Sequence, residues 1–244
     1  MTVLLQAETD GLLTLTLNRP EARNALNTEL AEALRAACRH AVASGARLVV
    51  LRAAGPVFCA GADLKERQGM TDDAVRARRL KSFAAYDALE ALPMPTVAVV
   101  QGPAIGSGVE IAAACDFIIA TPAASFRTPE ALWGTVGATQ RLPRILGKRL
   151  AKELMFTGRA LTAAEAQAAG LVARLIAPEA LDAALAEITA AILRAPPAAM
   201  ALAKRCIDEG LERDPRGALA TELLAVEESL AAAEWRSRMA GFGG

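Results

Sequence analysis

Residues 58–66 read FCAGADLKE and follow an apolar run, RLVVLRA, at 47–53. The run is short and rich in valine and leucine, so it predicts a buried strand. Asp63, with Glu66 three residues later, resembles a capping box and predicts a helix start. The small residues between strand and helix are typical of a place where another group approaches the backbone. We therefore expect the Ala62 N–H to be free and to point outward.

A second segment, QGPAIGSGVE at 101–110, repeats this plan. It ends a second apolar run, TVAVVQG at 96–102, and leads into a short helix that we expect to begin near Val109. The Ser107 N–H would lie at the positive end of that helix. If two free amides from adjacent loops converge on one oxygen, they form an oxyanion hole, which stabilises charge on a carbonyl oxygen. For either loop alone, a tight turn that serves only the fold is the alternative interpretation.

Three common motifs do not fit QGPAIGSG. A nucleophile elbow requires glycine where Ile105 and Val109 flank Ser107, and a P-loop requires a lysine that does not follow. A dinucleotide motif requires glycine where Ile111 stands. The only histidine, His40, precedes the loop, so a serine hydrolase triad has no histidine after its serine. These absences argue against the commonest serine hydrolases, NTPases and dehydrogenases.

Two glutamates lie close to these loops in the sequence. Glu110 falls in the first turn of the apolar helix VEIAAAC, and Glu130 follows a strand-like ASFRTP. Taken alone, Glu110 is often only a partner of the helix dipole, and Glu130 would be a surface loop residue. Together, beside an oxyanion hole, they predict a general acid and a general base.

The composition restricts the classes of partner. The 244 residues are 53% apolar and carry 27 basic and 27 acidic side chains, so we expect neither nucleic acid nor an anionic membrane as partner. Four scattered cysteines and one histidine form no zinc pattern, and they predict free thiols. No uncharged apolar run approaches the roughly 20 residues of a membrane span, and we expect no signal peptide. A cytoplasmic protein is the expectation.

Strands alternate with helices along most of the chain, which predicts an α/β domain. Asp10-Gly11 predicts a hairpin, 28–43 a helix, and Thr162 with Glu165 a later helix start. We place the α/β core at 1–195 and a helical region at 196–244. Helices that have little of the chain left to pack on often dock on a neighbouring subunit. The alternative, given equal weight, is that they cover their own domain.

The sequence strongly resembles the crotonase superfamily, the enoyl-CoA hydratase/isomerase family. The resemblance rests on ordered segments: NRPEARNALN at 18–27, FCAGADLKE at 58–66, QGPAIGSGVEIAAACDFIIA at 101–120, ASFRTPEALWG at 124–134, TQRLPRILG at 139–147 and TGRALTAAEAQAAGLV at 157–172. It implies a crotonase-like spiral of ββα units with a C-terminal helical region that forms homotrimers, often paired as dimers of trimers. It also implies an acyl-CoA thioester as substrate, with coenzyme A part of the substrate and no further cofactor or metal.

The resemblance assigns site residues. The two oxyanion amides fall on Ala62 and Ser107, and the two hydratase glutamates on Glu110 and Glu130. Contacts with coenzyme A fall on Arg23, Ala25, Asp63, Leu64 and Lys65.

The implied reaction adds water across the 2,3 double bond of a 2-enoyl-CoA, or removes it. Glu110 would deprotonate the water and Glu130 would protonate Cα, for which Glu130 needs a raised pKa. An isomerase or another crotonase-type lyase or hydrolase, in which one glutamate suffices, is the first alternative. A non-catalytic acyl-CoA-binding subunit is the second.

Two positions depart from the common pattern of the family. Ser107 stands where glycine is frequent, but the reaction requires only its backbone N–H. The loop WGTVGATQRL at 133–142 is shorter than is usual and introduces Trp133. Because this loop borders the acyl pocket in the family, we expect it to influence acyl specificity.

Overall fold

The computed structural model describes residues 2–232 and 235–236, and within them the chain forms two sheets. The nine strands are β1 (Leu4–Thr9), β2 (Leu12–Leu17), β3 (Leu48–Ala53), β4 (Thr96–Val100), β5 (Pro103–Ile105), β6 (Phe117–Ala120), β7 (Ser125–Arg127), β8 (Ala160–Thr162) and β9 (Arg174–Leu175). The larger sheet has the order β1-β2-β3-β4-β6-β9, and the smaller one β5-β7-β8. In the larger sheet only the β1–β2 pair is antiparallel.

The helices of the same residues cover the sheets and extend beyond them. They are α1 (Thr28–Ala43), α2 (Asp72–Glu90), α3 (Ser107–Ala113), α4 (Arg141–Thr157), α5 (Ala163–Ala168), α6 (Leu181–Arg194), α7 (Pro197–Leu211) and α8 (Pro215–Ala231). Alternation of strands and helices up to α6 confirms the predicted α/β class.

The central strands β3 and β4 of the larger sheet are buried on both faces, which explains their continuous apolar sequence. Val49 and Leu51 of β3 join the main core with α1, whereas Leu48 and Val50 pack on the opposite face. There they pack with Leu181 and Ile188 of α6. Both faces of β3 therefore contact apolar neighbours.

Several local predictions are confirmed. Asp10 and Gly11 form the hairpin turn with φ values of 48° and 86°. Helix α1 covers 28–43, and Asn27 caps it by accepting a hydrogen bond from the Leu30 N–H at 2.9 Å. Thr162 and Glu165 form a capping box at the start of α5.

The predicted helix start at Asp63 is wrong. Asp63 Oδ1 accepts hydrogen bonds from the Lys65 and Glu66 N–H groups at 3.0 and 3.2 Å, but residues 64–69 form turns. The Glu66 carboxylate does not return to the Asp63 N–H. It accepts a hydrogen bond from the Thr28 N–H at 2.8 Å and pairs with Arg78. This long-range pairing replaces the local capping box, and α2 begins only at Asp72.

The segment 101–110 also differs from the prediction. Its Pro103–Ile105 part is strand β5, which pairs with β7, and α3 begins at Ser107 rather than near Val109. Gly106 precedes the helix with φ of 51°, a conformation that favours glycine.

The backbone that approaches residues 58–62 belongs to this second segment. The Ile105 N–H donates to the Cys59 carbonyl at 2.9 Å, and the Phe58 N–H donates to the Pro103 carbonyl at 3.1 Å. A Cβ on Gly108 would overlap the Cys59 carbonyl oxygen and lie 2.9 Å from the Cys59 Cβ. The small residues noted in the sequence therefore permit two backbones to run side by side.

Asn24 connects an earlier loop to the same region. It is fully buried with φ of 53°. Its amide donates to the Ala54 and Val57 carbonyls at 2.8 Å each, and its oxygen accepts from the Arg19 N–H at 2.8 Å. The loop at 19–25 is thus held against the chain that enters FCAGADLKE.

Helices α7 and α8 pack on each other after the break at Pro196-Pro197. Lys204 of α7 joins them to the core through an ion pair with Asp116 at 2.9 Å. The boundary between 1–195 and 196–244 stays a prediction, and residues 233–234 and 237–244 lie outside the described part of the chain.

No single helix within the described ranges has both the length and the apolar character to cross a membrane. The helices Pro178–Arg194 and Pro197–Leu211 meet the length and apolarity requirements only when they are taken together, and this pair is bent by 101°.

Gly108→Ala should lower the free energy of unfolding by about 1–3 kcal/mol, because the added methyl group forces two backbones apart. Gly210→Ala in α7 is the matched control, since its Cβ would lie 3.6 Å from the Ala218 Cβ, an ordinary contact. We expect this control to be neutral or more stable by about 0.5–1 kcal/mol. Chemical denaturation measures both, and equal stability of the two variants would contradict the close approach.

Candidate active site

One cavity brings together the catalytic and oxyanion residues predicted from the sequence. Ala62, Ser107, Glu110 and Glu130 all line it. They come from the turn after β3, the start of α3 and the short 3-10 turn Glu130–Trp133 after β7. The two loops run side by side and bring Ala62, Ser107 and Glu110 together. The pairing of β5 with β7 brings Glu130 to them.

The amides of Ala62 and Ser107 are available for a ligand. In the described part of the chain, neither N–H donates a hydrogen bond to a loop, cap or side-chain acceptor. Ser107 is the first residue of α3, so its N–H has no acceptor within the helix. Both residues line the cavity, so their amides are candidate donors to a carbonyl oxygen.

Glu110 is held by an arginine that sequence reasoning did not single out. Its side chain is only 7% exposed, and its Oε2 lies 2.9 Å from Arg141 Nη1. Arg141 also pairs with Asp87 at 3.0 Å and Glu90 at 2.5 Å, and its guanidinium lies 5.9 Å from the centre of the Tyr86 ring.

The network keeps Arg141 charged. Burial alone would lower the pKa of Arg141, but hydrogen bonds to Glu90 and Glu110 raise it above its ordinary value. Arg141 therefore presents a permanent cation to the Glu110 carboxyl group. The only signal in the sequence was the segment TQRLPRILG, since contacts between Arg141 and α2 are long-range.

Glu130 has the opposite environment. Its Oε2 is buried and has no hydrogen-bond partner among the described residues. Burial raises the pKa of Glu130; the Glu110 charge acts in the same direction, and Arg79 opposes it. Its Oε1 would lie 2.5 Å from a Cβ at Gly106, so a glycine is required there. The arrangement favours a neutral carboxyl group that can donate a proton.

Tyr86 closes the cavity beside the two glutamates. Burial raises the pKa of its phenol, and an interaction with Ser107 acts in the opposite direction. Phe83 packs against it edge to face, with ring centres 5.8 Å apart. These two aromatic rings were not identified from the sequence, because they lie on a helix with no motif.

The five residues expected to contact coenzyme A lie next to the cavity but are not among those that line it. The chain around Arg23 and Ala25 runs beside the turn after β3, with the Ala60 N–H donating to the Arg23 carbonyl at 3.0 Å. Arg23, Leu64 and Lys65 are exposed.

Asp63 has a structural partner. Its Oδ2 lies 3.0 Å from Arg19 Nη2, and Arg19 also donates to the Ala25 carbonyl. Burial acts to raise the pKa of Asp63, but the hydrogen bonds from Arg19 and from the Glu66 and Lys65 N–H groups, with the Arg19 charge, together outweigh it and lower the pKa. The side chain of Asp63 therefore ties the two loops together.

No group of three or more His, Cys, Asp or Glu side chains is placed to hold a metal ion in the residues that the structure describes. The three cysteines Cys38, Cys59 and Cys115 are buried free thiols, and Cys206 is a half-buried one.

Comparison with known proteins identifies the family of this chain. The family model for enoyl-CoA hydratase/isomerase matches residues 7–242. The Bacillus subtilis protein YngF, named after the same family, is 40% identical over 247 residues, covering 98% of this chain and 94% of YngF.

Two solved structures show the same fold. The crystal structure of enoyl-CoA hydratase from Bacillus anthracis has a TM-score of 0.89 at 36% identity, covering 92% of this chain and 90% of that one. A Thermobifida fusca structure in complex with acetoacetyl-CoA has a TM-score of 0.86 at 28% identity, covering 95% and 96%. The predicted crotonase-like α/β fold is confirmed, and the chain belongs to the enoyl-CoA hydratase/isomerase family of the crotonase superfamily.

Proposed function

We propose that this enzyme adds water across the 2,3 double bond of a 2-enoyl-CoA thioester, or catalyses the reverse dehydration. The observation that carries the proposal is that Glu110 and Glu130 line one cavity together with Ala62 and Ser107. A hydratase handles two protons, because one leaves the water and another arrives at Cα. Two carboxyl groups beside a pair of free amides meet this requirement.

The amides of Ala62 and Ser107 would bind the thioester carbonyl oxygen. Negative charge then collects on that oxygen, and Cβ becomes open to the addition of water. Since only the backbone N–H is needed, the serine at position 107 keeps the donor. The residues proposed to bind coenzyme A are Arg23, Ala25, Asp63, Leu64 and Lys65, and the Asp63 backbone would serve because its carboxylate is engaged by Arg19.

The environments of the two glutamates support separate roles. Arg141 pairs with Glu110 Oε2 and stabilises a carboxylate, so we assign Glu110 as the base that takes the proton of water through Oε1. Burial favours the neutral form of Glu130, so we assign it as the acid that protonates Cα. Coenzyme A is part of the substrate, and the reaction as proposed uses no metal or redox cofactor. A cytoplasmic location remains our expectation.

An isomerase is the second candidate. The observation in its favour is that Arg141 engages Glu110, whereas Glu130 has a buried oxygen without a partner among the described residues. A single free carboxyl group can move one proton between two carbons of the acyl chain. Two further alternatives are another crotonase-type lyase or hydrolase and a non-catalytic acyl-CoA-binding subunit. In these alternatives too, Glu110 would transfer no proton.

Glu110→Gln and Glu130→Gln should each lower the hydration of crotonyl-CoA by at least about a hundredfold, the usual contribution of a positioned acid or base. Glutamine keeps the shape and removes the proton exchange. The decay of conjugated thioester absorbance measures the rate.

The double variant should lose far less than the product of the single effects, because both residues act on one water and one substrate. An isomerase would lose activity in Glu130→Gln and keep most of it in Glu110→Gln. If binding persists and neither change affects the turnover of any acyl-CoA, the binding-only function replaces this proposal.

Arg141→Gln should lower the kcat for hydration with little change in KM, because Glu110 loses the partner that holds its carboxyl group in place. Arg141→Lys should restore part of the rate. A purely structural role would lower the yield of folded protein without changing kcat, and an unchanged kcat in a folded Arg141→Gln variant would contradict this assignment.

We also propose that the chain assembles through its helical region at 196–244 as a homotrimer or a dimer of trimers. Helices α7 and α8 expose large apolar side chains: Ile207, Leu211, Leu219, Leu223, Leu224, Val226 and Leu230. Leu211 is 82% exposed and Leu224 is 66% exposed, and so many exposed large apolar side chains on one pair of packed helices are unusual in a monomer.

Light scattering at micromolar concentration should report a trimer or hexamer. The double variant Leu223→Glu with Leu224→Glu should shift the population toward monomer, because two charges would be buried without partners. Glu227→Gln, on the same helix, is the control and should leave the mass unchanged. A monomeric wild-type protein would refute the proposed assembly.

A further inference from the structure

Three arginines line the cavity, and one of them is already neutralised. They are Arg67, in the turns after Asp63, and Arg78 and Arg79 on α2. Arg78 is buried, pairs through Nε with Glu66 and donates to the Leu26 carbonyl. Its charge and its donors serve the fold.

Arg67 and Arg79 differ from Arg78. Both are half-buried, and neither forms an ion pair with a carboxylate among the residues that the structure describes. Arg79 donates a hydrogen bond to the Val136 carbonyl, in the shortened loop that precedes α4. Val136 and Gly137 of this loop also line the cavity.

Arg79 lies near the reacting end of the cavity. Its charge opposes the rise in the pKa of Glu130, so the guanidinium is close enough to interact with that carboxyl group. The loop that Arg79 contacts also packs on Glu130, because a Cβ on Gly137 would lie 3.1 Å from Glu130 Cγ. Arg79, the loop and Glu130 therefore form one wall.

The acidic residues of the cavity do not balance these two cations. Glu110 is paired with Arg141, and Glu130 forms no ion pair with either arginine in the described part of the chain. A partly desolvated charge is unfavourable without a counter-charge, so an anionic group on the ligand would stabilise the site. The planar guanidinium donors match a carboxylate or a phosphate in a two-point hydrogen bond.

The positions of the arginines indicate which of the two anions they bind, a carboxylate or a phosphate. Arg23 and Lys65, the cations that we expect beside coenzyme A, are not among the residues that line the cavity. Arg67 and Arg79 share the cavity with Glu130 and the aromatic ring of Phe83. Because we propose that the thioester carbonyl binds at Ala62 and Ser107 in this same cavity, we assign the two arginines to the acyl part of the substrate rather than to its phosphates.

We propose that Arg67 and Arg79 bind a carboxylate at the distal end of the acyl group, so that the preferred substrate is the monothioester of a short unsaturated dicarboxylic acid. This inference rests on the proposed function, because the same cavity must hold the acyl chain. Recognition by two guanidinium groups selects against an uncharged alkyl end, which would leave both cations unpaired.

The test compares two thioesters of matched shape. Glutaconyl-CoA ends in a carboxylate, and 5-methylhex-2-enoyl-CoA places an isopropyl group in the same position. Wild-type kcat/KM should favour glutaconyl-CoA by about tenfold or more, as expected for charged hydrogen bonds. Isothermal titration calorimetry should show the same preference in binding.

Arg67→Met and Arg79→Met keep much of the side-chain volume and remove the charge. Each should reduce the ratio of the two kcat/KM values by about tenfold, mainly through the KM of glutaconyl-CoA. Arg67→Lys and Arg79→Lys should keep part of the ratio, which provides folded variants if the methionine forms are unstable. Arg76→Met is the matched control, because Arg76 lies on α2, pairs with Asp73 at 2.6 Å and does not line the cavity.

Inhibition by free coenzyme A separates the two possible anions. We expect it to be unaffected in Arg67→Met and Arg79→Met. If both variants weaken inhibition by coenzyme A and reduce turnover of both thioesters equally, the arginines bind its phosphates and the inference is overturned.

Failure of this inference differs from failure of the proposed function. Equal turnover of the two thioesters by the wild-type protein overturns the inference and leaves the hydratase proposal intact. If the wild-type protein hydrates neither thioester but binds glutaconyl-CoA more tightly than the neutral analogue, the hydratase proposal fails and the carboxylate site stands.

Discussion

The close approach of two backbones is the constraint on which the rest of the structure depends. Residues 56–62 run beside 102–108, and glycines at 102 and 108 leave room for the carbonyl groups of Pro56 and Cys59. Hydrogen bonds between the two segments hold this spacing. Because the segments end at Ala62 and at the start of α3, the same contact also brings Ala62 and Ser107 to one cavity.

Neighbouring charges and burial then give the carboxyl groups of Glu110 and Glu130 different environments. Arg141 pairs with two carboxylates of α2 and with Glu110 of α3. Glu130 has a raised pKa and a buried oxygen without a partner among the described residues. Arg79 donates to the loop that also packs on Glu130. Two identical side chains thus acquire the base and acid roles that we propose for them through their neighbours alone.

Local sequence patterns correctly predicted the elements that adjacent residues stabilise. The hairpin at Asp10-Gly11, helix α1 and the capping box at Thr162 all form as expected, since turn geometry, apolar periodicity and capping depend on a few adjacent residues. The helix start expected at Asp63 failed for the converse reason. Glu66 gains more from Thr28 and Arg78, which the fold brings to it, than from its own turn.

The sequence by itself determined the α/β class and the family, and it singled out the residues that line the cavity together, Ala62 with Ser107 and Glu110 with Glu130, because ordered motifs carry them. Their catalytic roles stay predictions, and only the tertiary structure decided what surrounds them. Arg67 and Arg79 lie in stretches that look like ordinary solvated turn or helix, and no spacing rule connects them, or Arg141 of TQRLPRILG, to the glutamates. Their charges act through space over a few ångströms, so their role depends on which segments the fold packs together.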